Sequence, residues 1–86
     1  MEYVDKLGRR HYIMAGNVGT APGPYTPFFT VRRGRADQEE PIYRRDADDP
    51  SWPGFASIDE ANQEATAKAV EWIVADANAA GANSGP

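Results

Sequence analysis

The last third of this chain is its most constrained segment. Residues 61–80 contain neither glycine nor proline and are rich in alanine, the best helix former. Ser57 and Glu60 stand just before them with the spacing of a capping box, in which the serine hydroxyl accepts a backbone N–H. Gly81 follows in the place of a left-handed helix terminator. The sequence therefore predicts one long helix that begins after Ser57 and ends at Gly81.

The predicted helix has one apolar stripe, whose side chains fall within about 120° of one another when successive residues turn by about 100°. The stripe consists of Ile58, Ala61, Ala65, Ala69, Trp72 and Ile73. Small alanines in its first half let the helix sit close to its support, and Trp72 is the predicted core anchor at the far end. Val70 and Val74 flank the stripe and are expected to be partly exposed.

Before the helix, the apolar pattern has a period of two, which is typical of half-buried strands. Strands are predicted over residues 9–15, 25–33 and 40–45. Residues 16–24 and 46–55 are rich in glycine, proline or acidic residues and are predicted to be loops. Residues 1–4 either begin the first strand or form a short arm. Pro27 cannot donate to a strand ladder, which indicates an edge strand or a ragged strand start.

These elements predict an α+β protein, namely a three-stranded antiparallel β-meander with one C-terminal amphipathic helix packed on one face (β-β-β-α). With 86 residues the chain forms one small domain with a thin core. We expect this domain to span residues 1–81 and a disordered tail to span residues 82–86. Because one helix covers one face, the other sheet face is predicted to stay open, and an open face is either polar or used for binding.

The composition excludes several kinds of chemistry. There is no cysteine, so disulfides, thiolate metal sites and a thiol nucleophile are excluded, and His11 is the only histidine. The chain has no glycine-rich phosphate-binding motif. We therefore expect no catalytic residue, no metal site and no cofactor, and hence a protein that is not an enzyme. No apolar run is long enough for a signal peptide or a bilayer span, so we expect a cytoplasmic protein without a membrane partner.

Charge is distributed unevenly along the chain. Residues 1–45 carry eight basic and five acidic side chains, whereas residues 46–86 carry one basic and eight acidic side chains. The basic residues gather around one predicted hairpin. The candidate interaction surface consists of Arg32, Arg33, Tyr43, Arg44 and Arg45. Alternate members should project from the open face; the other interpretation is that the two halves neutralise each other across a sheet–helix contact.

Two functions remain open for this surface. The first is a small non-enzymatic binding module for another protein, in which an unpaired edge strand could also pair with a partner strand or a second copy. The alternative is a nucleic-acid-binding module, in which arginines hold phosphates and aromatic rings stack on bases. The net charge of −4 disfavours nucleic acid. We therefore expect a protein partner, whose identity the sequence does not give, and a monomer or a weak homodimer.

The chain resembles two groups of known proteins. The first resemblance is carried by Tyr3, Tyr12-Ile13, Phe55-Ala56-Ser57, Glu60-Ala61 and Trp72-Ile73. It is to small uncharacterised β-β-β-α proteins of Burkholderia and related proteobacteria, covers most of the chain, and implies a fold but no activity. Residues 53–61 with Trp72 are similar to the strand-to-helix passage of HicB-type antitoxins, which implies a toxin-binding protein. The loops and the third strand are spaced differently from that family.

Overall fold

A computed structural model describes residues 1–34 and 40–83. The elements in chain order are β1 (Glu2–Val4), β2 (Arg10–Val18), β3 (Thr26–Arg33), β4 (Tyr43–Arg45) and α1 (Ile58–Asn83). The strands form one antiparallel sheet in the order β1-β2-β3-β4, and α1 packs on β2 and β3. The predicted class, α+β with an antiparallel sheet and one C-terminal helix, is confirmed.

The predicted strand number is wrong, because the sheet has four strands rather than three. β1 is a strand of its own and pairs antiparallel with residues 10–12 of β2. The side chain of Asp5 fixes the turn between them by accepting the N–H groups of Leu7 and Arg9 at 2.8 and 3.0 Å. Gly8 completes the turn with a φ of +81°, which favours glycine. A strand of three residues is too short to show a period-two pattern.

Three element boundaries differ from the prediction by two residues or more. β2 continues through residues 16–18, since pairing with β3 outweighs the low strand propensity of glycine and asparagine. β4 begins at Tyr43 rather than at residue 40. α1 passes through Gly81 and ends at Asn83, so Gly81 does not terminate the helix. The predicted tail 82–86 thus begins inside α1, and residues 84–86 lie outside the described residues.

Pro27 lies inside β3 at a position that needs no N–H toward β2. Ile13 and Val31 are opposite each other, but Ile13 bonds to Met1 at 2.7 Å and Val31 bonds to Ile42 at 2.8 Å, both on the far sides of their strands. Backbone groups of alternate residues point to the same side of a strand. Pro27, four residues before Val31, therefore points its backbone away from β2, and its missing N–H costs the β2–β3 ladder nothing.

The core between α1 and the sheet depends on small helix residues. The buried helix positions recur at every fourth residue and are Ala61, Ala65, Ala69, Ile73 and Ala77. Ile13, Phe29 and Val31 form the sheet side of this core. Because the stripe turns around the helix by about 40° every four residues, Ile58 lies off it and is exposed, whereas Ala77 lies on it. The predicted stripe was therefore right at its centre and wrong at its ends.

The tryptophan that anchors the core is Trp52, not Trp72 as predicted. Trp52 is 8% exposed, and its ring meets that of Phe29 edge-on with 6.3 Å between the centroids. Its Nε1 donates to the backbone oxygen of Asp46 at 3.1 Å. Trp72 is only partly buried and stacks on Tyr43 at the margin of the core, with 4.7 Å between the rings. A helical wheel does not reveal a loop residue that folds back into the core.

Trp52→Ala is expected to lower the free energy of unfolding by about 3–5 kcal/mol, the usual cost of deleting a buried aromatic ring. Trp72→Ala should cost about 1–2 kcal/mol, because its ring is partly exposed and loses mainly one stacked partner. Urea unfolding followed by far-UV circular dichroism measures both. An equal or larger loss in the Trp72 variant would contradict this assignment of the core.

The predicted N-cap of α1 is confirmed, since Ser57 Oγ accepts the N–H of Glu60 at 3.1 Å. Ser57→Ala is expected to lower the free energy of unfolding by about 1 kcal/mol through the loss of this bond. Ser57→Asp, which retains a cap oxygen, should stay close to the wild type in the same urea unfolding measurement. If both variants lost stability equally, the cap would not be the cause.

Candidate interaction surface

The five candidate residues lie on both faces of the sheet. Residues opposite each other in an antiparallel pair share a face. Arg33 is opposite His11, and Tyr43 is opposite Val31, which places both on the face under α1. Arg45 is opposite Phe29 on the same covered face. The other two are Arg32 and Arg44, and only these lie together on the open face.

Arg45 and Tyr43 pack against the core. The guanidinium of Arg45 lies 3.6 Å from the centre of the Trp52 ring, a cation–π contact with a buried aromatic. The same side chain pairs with Asp49 at 3.4 Å and is mostly buried. Tyr43 lies between Phe29 and Trp72, with ring centroids 5.8 and 4.7 Å away. These two side chains therefore hold β4 and the following loop against the core.

Arg33 belongs to a polar cluster between the sheet and the second half of α1. Its members are Asp5, Arg9, His11, Arg33 and Asp76. Arg9 and Arg33 both donate to Asp76 Oδ2, the former at 3.1 Å. At Asp76, therefore, basic residues of the sheet side pair with an acidic residue of the helix, as one of the two interpretations of the charge distribution predicted. By contrast, Glu64 and Glu71 pair with Lys68 on α1 itself, at 3.9 and 3.1 Å.

His11 lies at the centre of this cluster and is fully buried at 0% exposure. Its Nε2 accepts the Nε–H of Arg33 at 3.2 Å, so Nδ1 carries the proton of the neutral ring, and Nδ1 is buried without a well-formed hydrogen bond. Burial and the charge of Arg33 lower the pKa of His11, and the partly opposing effects come from Asp5 and the Tyr3 backbone. His11 is thus a buried imidazole that is neutral near pH 7.

Asp5 is the acid of the cluster that faces the β1–β2 turn. Burial acts to raise its pKa, but hydrogen bonds from Arg9 and from the Leu7 backbone outweigh burial, and the pKa is lowered. Arg9 Nε donates to Asp5 Oδ2 at 2.8 Å. The charge of this buried carboxylate is therefore satisfied within the fold, where Asp5 organises the β1–β2 turn.

A diagonal row of arginines marks one end of the open face. The row consists of Arg10 on β2, Arg32 on β3 and Arg44 on β4. In this register each arginine is one diagonal step from the next, about 7–8 Å. Arg10 pairs with Glu2 at 3.5 Å, and Arg44 pairs with Asp46 at 3.6 Å. Arg10 was missing from the predicted surface, because only the strand register reveals that it joins the row.

The other end of the open face is apolar. Met14 and Val18 are 63% and 50% exposed. Phe28 lies across Gly16 so closely that a Cβ on the glycine would come within 2.6 Å of the ring. Between the two ends, Met1, Tyr12, Met14 and Arg32 line a hollow of about 200 Å³. The open face is therefore neither uniformly polar nor uniformly charged.

Two further hollows, of about 390 and 410 Å³, lie along the first half of α1 and share Phe55 and Glu64 as walls. The cations at these hollows already have acidic neighbours, Lys68 with Glu64 and Arg45 with Asp49. Among residues 1–34 and 40–83, no group of three or more His, Asp or Glu side chains is placed to hold a metal ion. The open face is the more distinctive surface.

Within the part of the chain that the structure describes, no helix is both long enough and apolar enough to cross a bilayer. Comparison of the chain with models of known protein families, with curated proteins and with solved structures finds no match. The resemblances to the Burkholderia proteins and to HicB-type antitoxins therefore stay predictions.

Acidification from about pH 8 to pH 5 is expected to destabilise the protein through His11. The unfolded imidazole takes up a proton near its ordinary pKa of about 6.5, whereas the folded pKa is lower. Neutral His11 therefore makes its full contribution to the free energy of unfolding above about pH 6.5. This contribution is lost as the pH falls toward the folded pKa, by at most about 1.4 kcal/mol per pH unit.

Urea unfolding at about pH 8, 7, 6 and 5 measures this slope, and His11→Gln is the control. The variant should lack the slope between pH 7 and 5, even if it is less stable throughout. The pKa values of Asp5 and Asp49 are also lowered, but these carboxyl groups affect stability only below about pH 4, outside the measured pH range. Equal slopes in the wild type and the variant would contradict the role given to His11.

Proposed function

We propose that this chain is a small non-enzymatic binding module for another protein and that the open face of the sheet is its binding surface. The observation that supports the proposal is an exposed apolar patch beside a row of arginines, on a face that α1 leaves uncovered. The patch consists of the exposed Met14 and Val18 and the half-buried ring of Phe28. Patches of this kind, bordered by polar side chains, mark interaction sites on soluble domains.

The charge of this face indicates the chemistry of the partner. The arginine row gives the open face a positive end, while the outer side of α1 carries Glu60, Glu64 and Glu71 and the whole chain is at −4. The exposed pairs of Arg10 and Arg44 contribute little stability and can exchange for a partner's carboxylates. The best match is a segment with acidic residues at one end and apolar residues at the other.

Nucleic acid is the second candidate, and the charges argue against it. Arg10 and Arg44 of the row already have an acidic neighbour. A nucleic-acid surface normally gives its domain a basic footprint, whereas this chain has a net charge of −4. Phe28 offers a flat ring for stacking, but its ring lies over Gly16 of β2, and among the arginines of the row only Arg44 is a diagonal neighbour.

The test is selection of random twelve-residue peptides on the wild-type protein, followed by amide NMR mapping of the selected sequences. We expect shift changes on the open-face residues of β2 and β3. Arg32→Glu/Arg44→Glu should weaken binding of the selected peptides at least tenfold. Lys6→Glu/Lys68→Glu changes the net charge equally, away from this face, and should leave binding within about twofold.

Two peptide results would overturn the proposal: selected peptides that bind the outer side of α1, or an arginine variant that binds the peptides as tightly as the control does. A parallel titration with mixed-sequence single-stranded RNA at low salt can give a third. Salt-sensitive shifts at Arg10, Arg32 and Arg44 with RNA, when no peptide is selected, would assign the face to nucleic acid instead.

A further inference from the structure

The outer edge of β2 is unpaired along half of its length. β1 reaches only as far as Ile13, which exchanges hydrogen bonds with Met1 at 2.7 and 3.0 Å. From residue 14 to residue 18, β2 has β3 on one side and no described strand on the other. This stretch is about 17 Å long at the usual rise of a strand.

Ala15 and Asn17 carry the free backbone groups of this edge. Ile13 points its N–H and C=O toward β1, and alternate residues of a strand point the same way. Ala15 and Asn17 therefore direct their N–H and C=O groups away from β3, where no backbone group of the described residues meets them. Strand edges of this kind pair readily with another strand unless they are protected.

The opposite side of the sheet is protected. Along the outer side of β3, Tyr25 exchanges two hydrogen bonds of 2.8 Å with Phe55, and Pro27 has no N–H to offer. β4 covers the rest of that side and carries the exposed Arg44, a charge of the kind that discourages edge pairing. By contrast, residues 14–18 contain no charged residue and no proline.

We propose that this edge of β2 pairs with the same edge of a second copy of the chain. In an antiparallel pair with its two-fold axis at Gly16, Ala15 of one copy faces Asn17 of the other, so that the free N–H and C=O groups of both copies are satisfied. Met14 then lies beside Val18 of the second copy, and both side chains are exposed in the single chain. Apolar cross-strand neighbours of this kind stabilise a sheet.

The register of this pairing is fixed by Met1 and by the loop after β2. A shift of two residues toward Met1 would put Asn17 opposite Ile13, whose backbone groups are already bonded to Met1. At the other end, β2 stops at Val18 and the chain turns toward β3, away from the second copy. The pairing centred on Gly16 is thus the one that uses every free backbone group.

The two-fold axis is perpendicular to the sheet, so both open faces lie on one side of a continuous sheet. The apolar ends meet in the middle, and an arginine row lies at each outer end. The inference does not depend on the proposed function, because the two copies can pair whatever the open face binds. The contact is small, which predicts weak association.

Sedimentation equilibrium of the wild type between about 10 µM and 1 mM tests this pairing. The weight-average mass should rise with concentration from the 9.4 kDa of one chain toward twice that value. Val4→Lys/Ile42→Lys, which replaces two exposed apolar residues away from this edge, should associate like the wild type. A mass that stays at one chain up to about 1 mM would overturn the proposal.

A charge exchange identifies the interface. Met14→Glu/Val18→Glu and Met14→Lys/Val18→Lys should each stay monomeric, because like charges face each other across the two-fold axis. An equimolar mixture should form heterodimers at least tenfold more tightly than either variant alone, which also shows that both variants are folded. Dimers of each separate variant, or no association in the mixture, would overturn the proposal. The proposal would also be overturned if the wild type stayed monomeric and a selected peptide bound to this edge of β2, because the edge would then bind a different protein.

Discussion

The close contact between α1 and the middle of the sheet determines the rest of the structure. Alanine at positions 61, 65, 69 and 77 lets the helix backbone come near β2 and β3, and larger side chains there would lift it away. The core volume is then supplied by Phe29, Val31 and Ile73, together with Trp52 from the loop. Since the single apolar stripe of α1 packs against one face of the sheet, no described element covers the other face.

Sequence reasoning succeeded where a pattern repeats over many residues. The long alanine-rich segment and its serine cap predicted α1, and the period-two pattern predicted the strands that form most of β2 and β3. These features are local, because helix and strand periods are set by neighbours along the chain. The fold class followed from them, since a short sheet needs a helix on at least one face.

The failures come from contacts that join distant parts of the chain. Trp52 enters the core because its loop folds back onto Phe29, and Arg45 follows it by lying over its ring. Arg33 turns toward Asp76, 43 residues further along the chain. Three of the five candidate surface residues, Arg33, Tyr43 and Arg45, therefore face α1. Arg10 lies on the open face but was not predicted there, because the register of the strands decides which residues are neighbours on a face.

The two sides of the sheet differ in a way that limits how far it can grow. On the side of β3, Pro27 has no N–H and Tyr25 is bonded to Phe55, whereas on the side of β2 no described backbone group meets Ala15 and Asn17. A ribbon that is adhesive on both margins polymerises, but one that is adhesive on a single margin stops after one addition. Pro27 therefore removes one backbone donor from the side of the sheet opposite the proposed pairing edge, which disfavours further strand addition on that side.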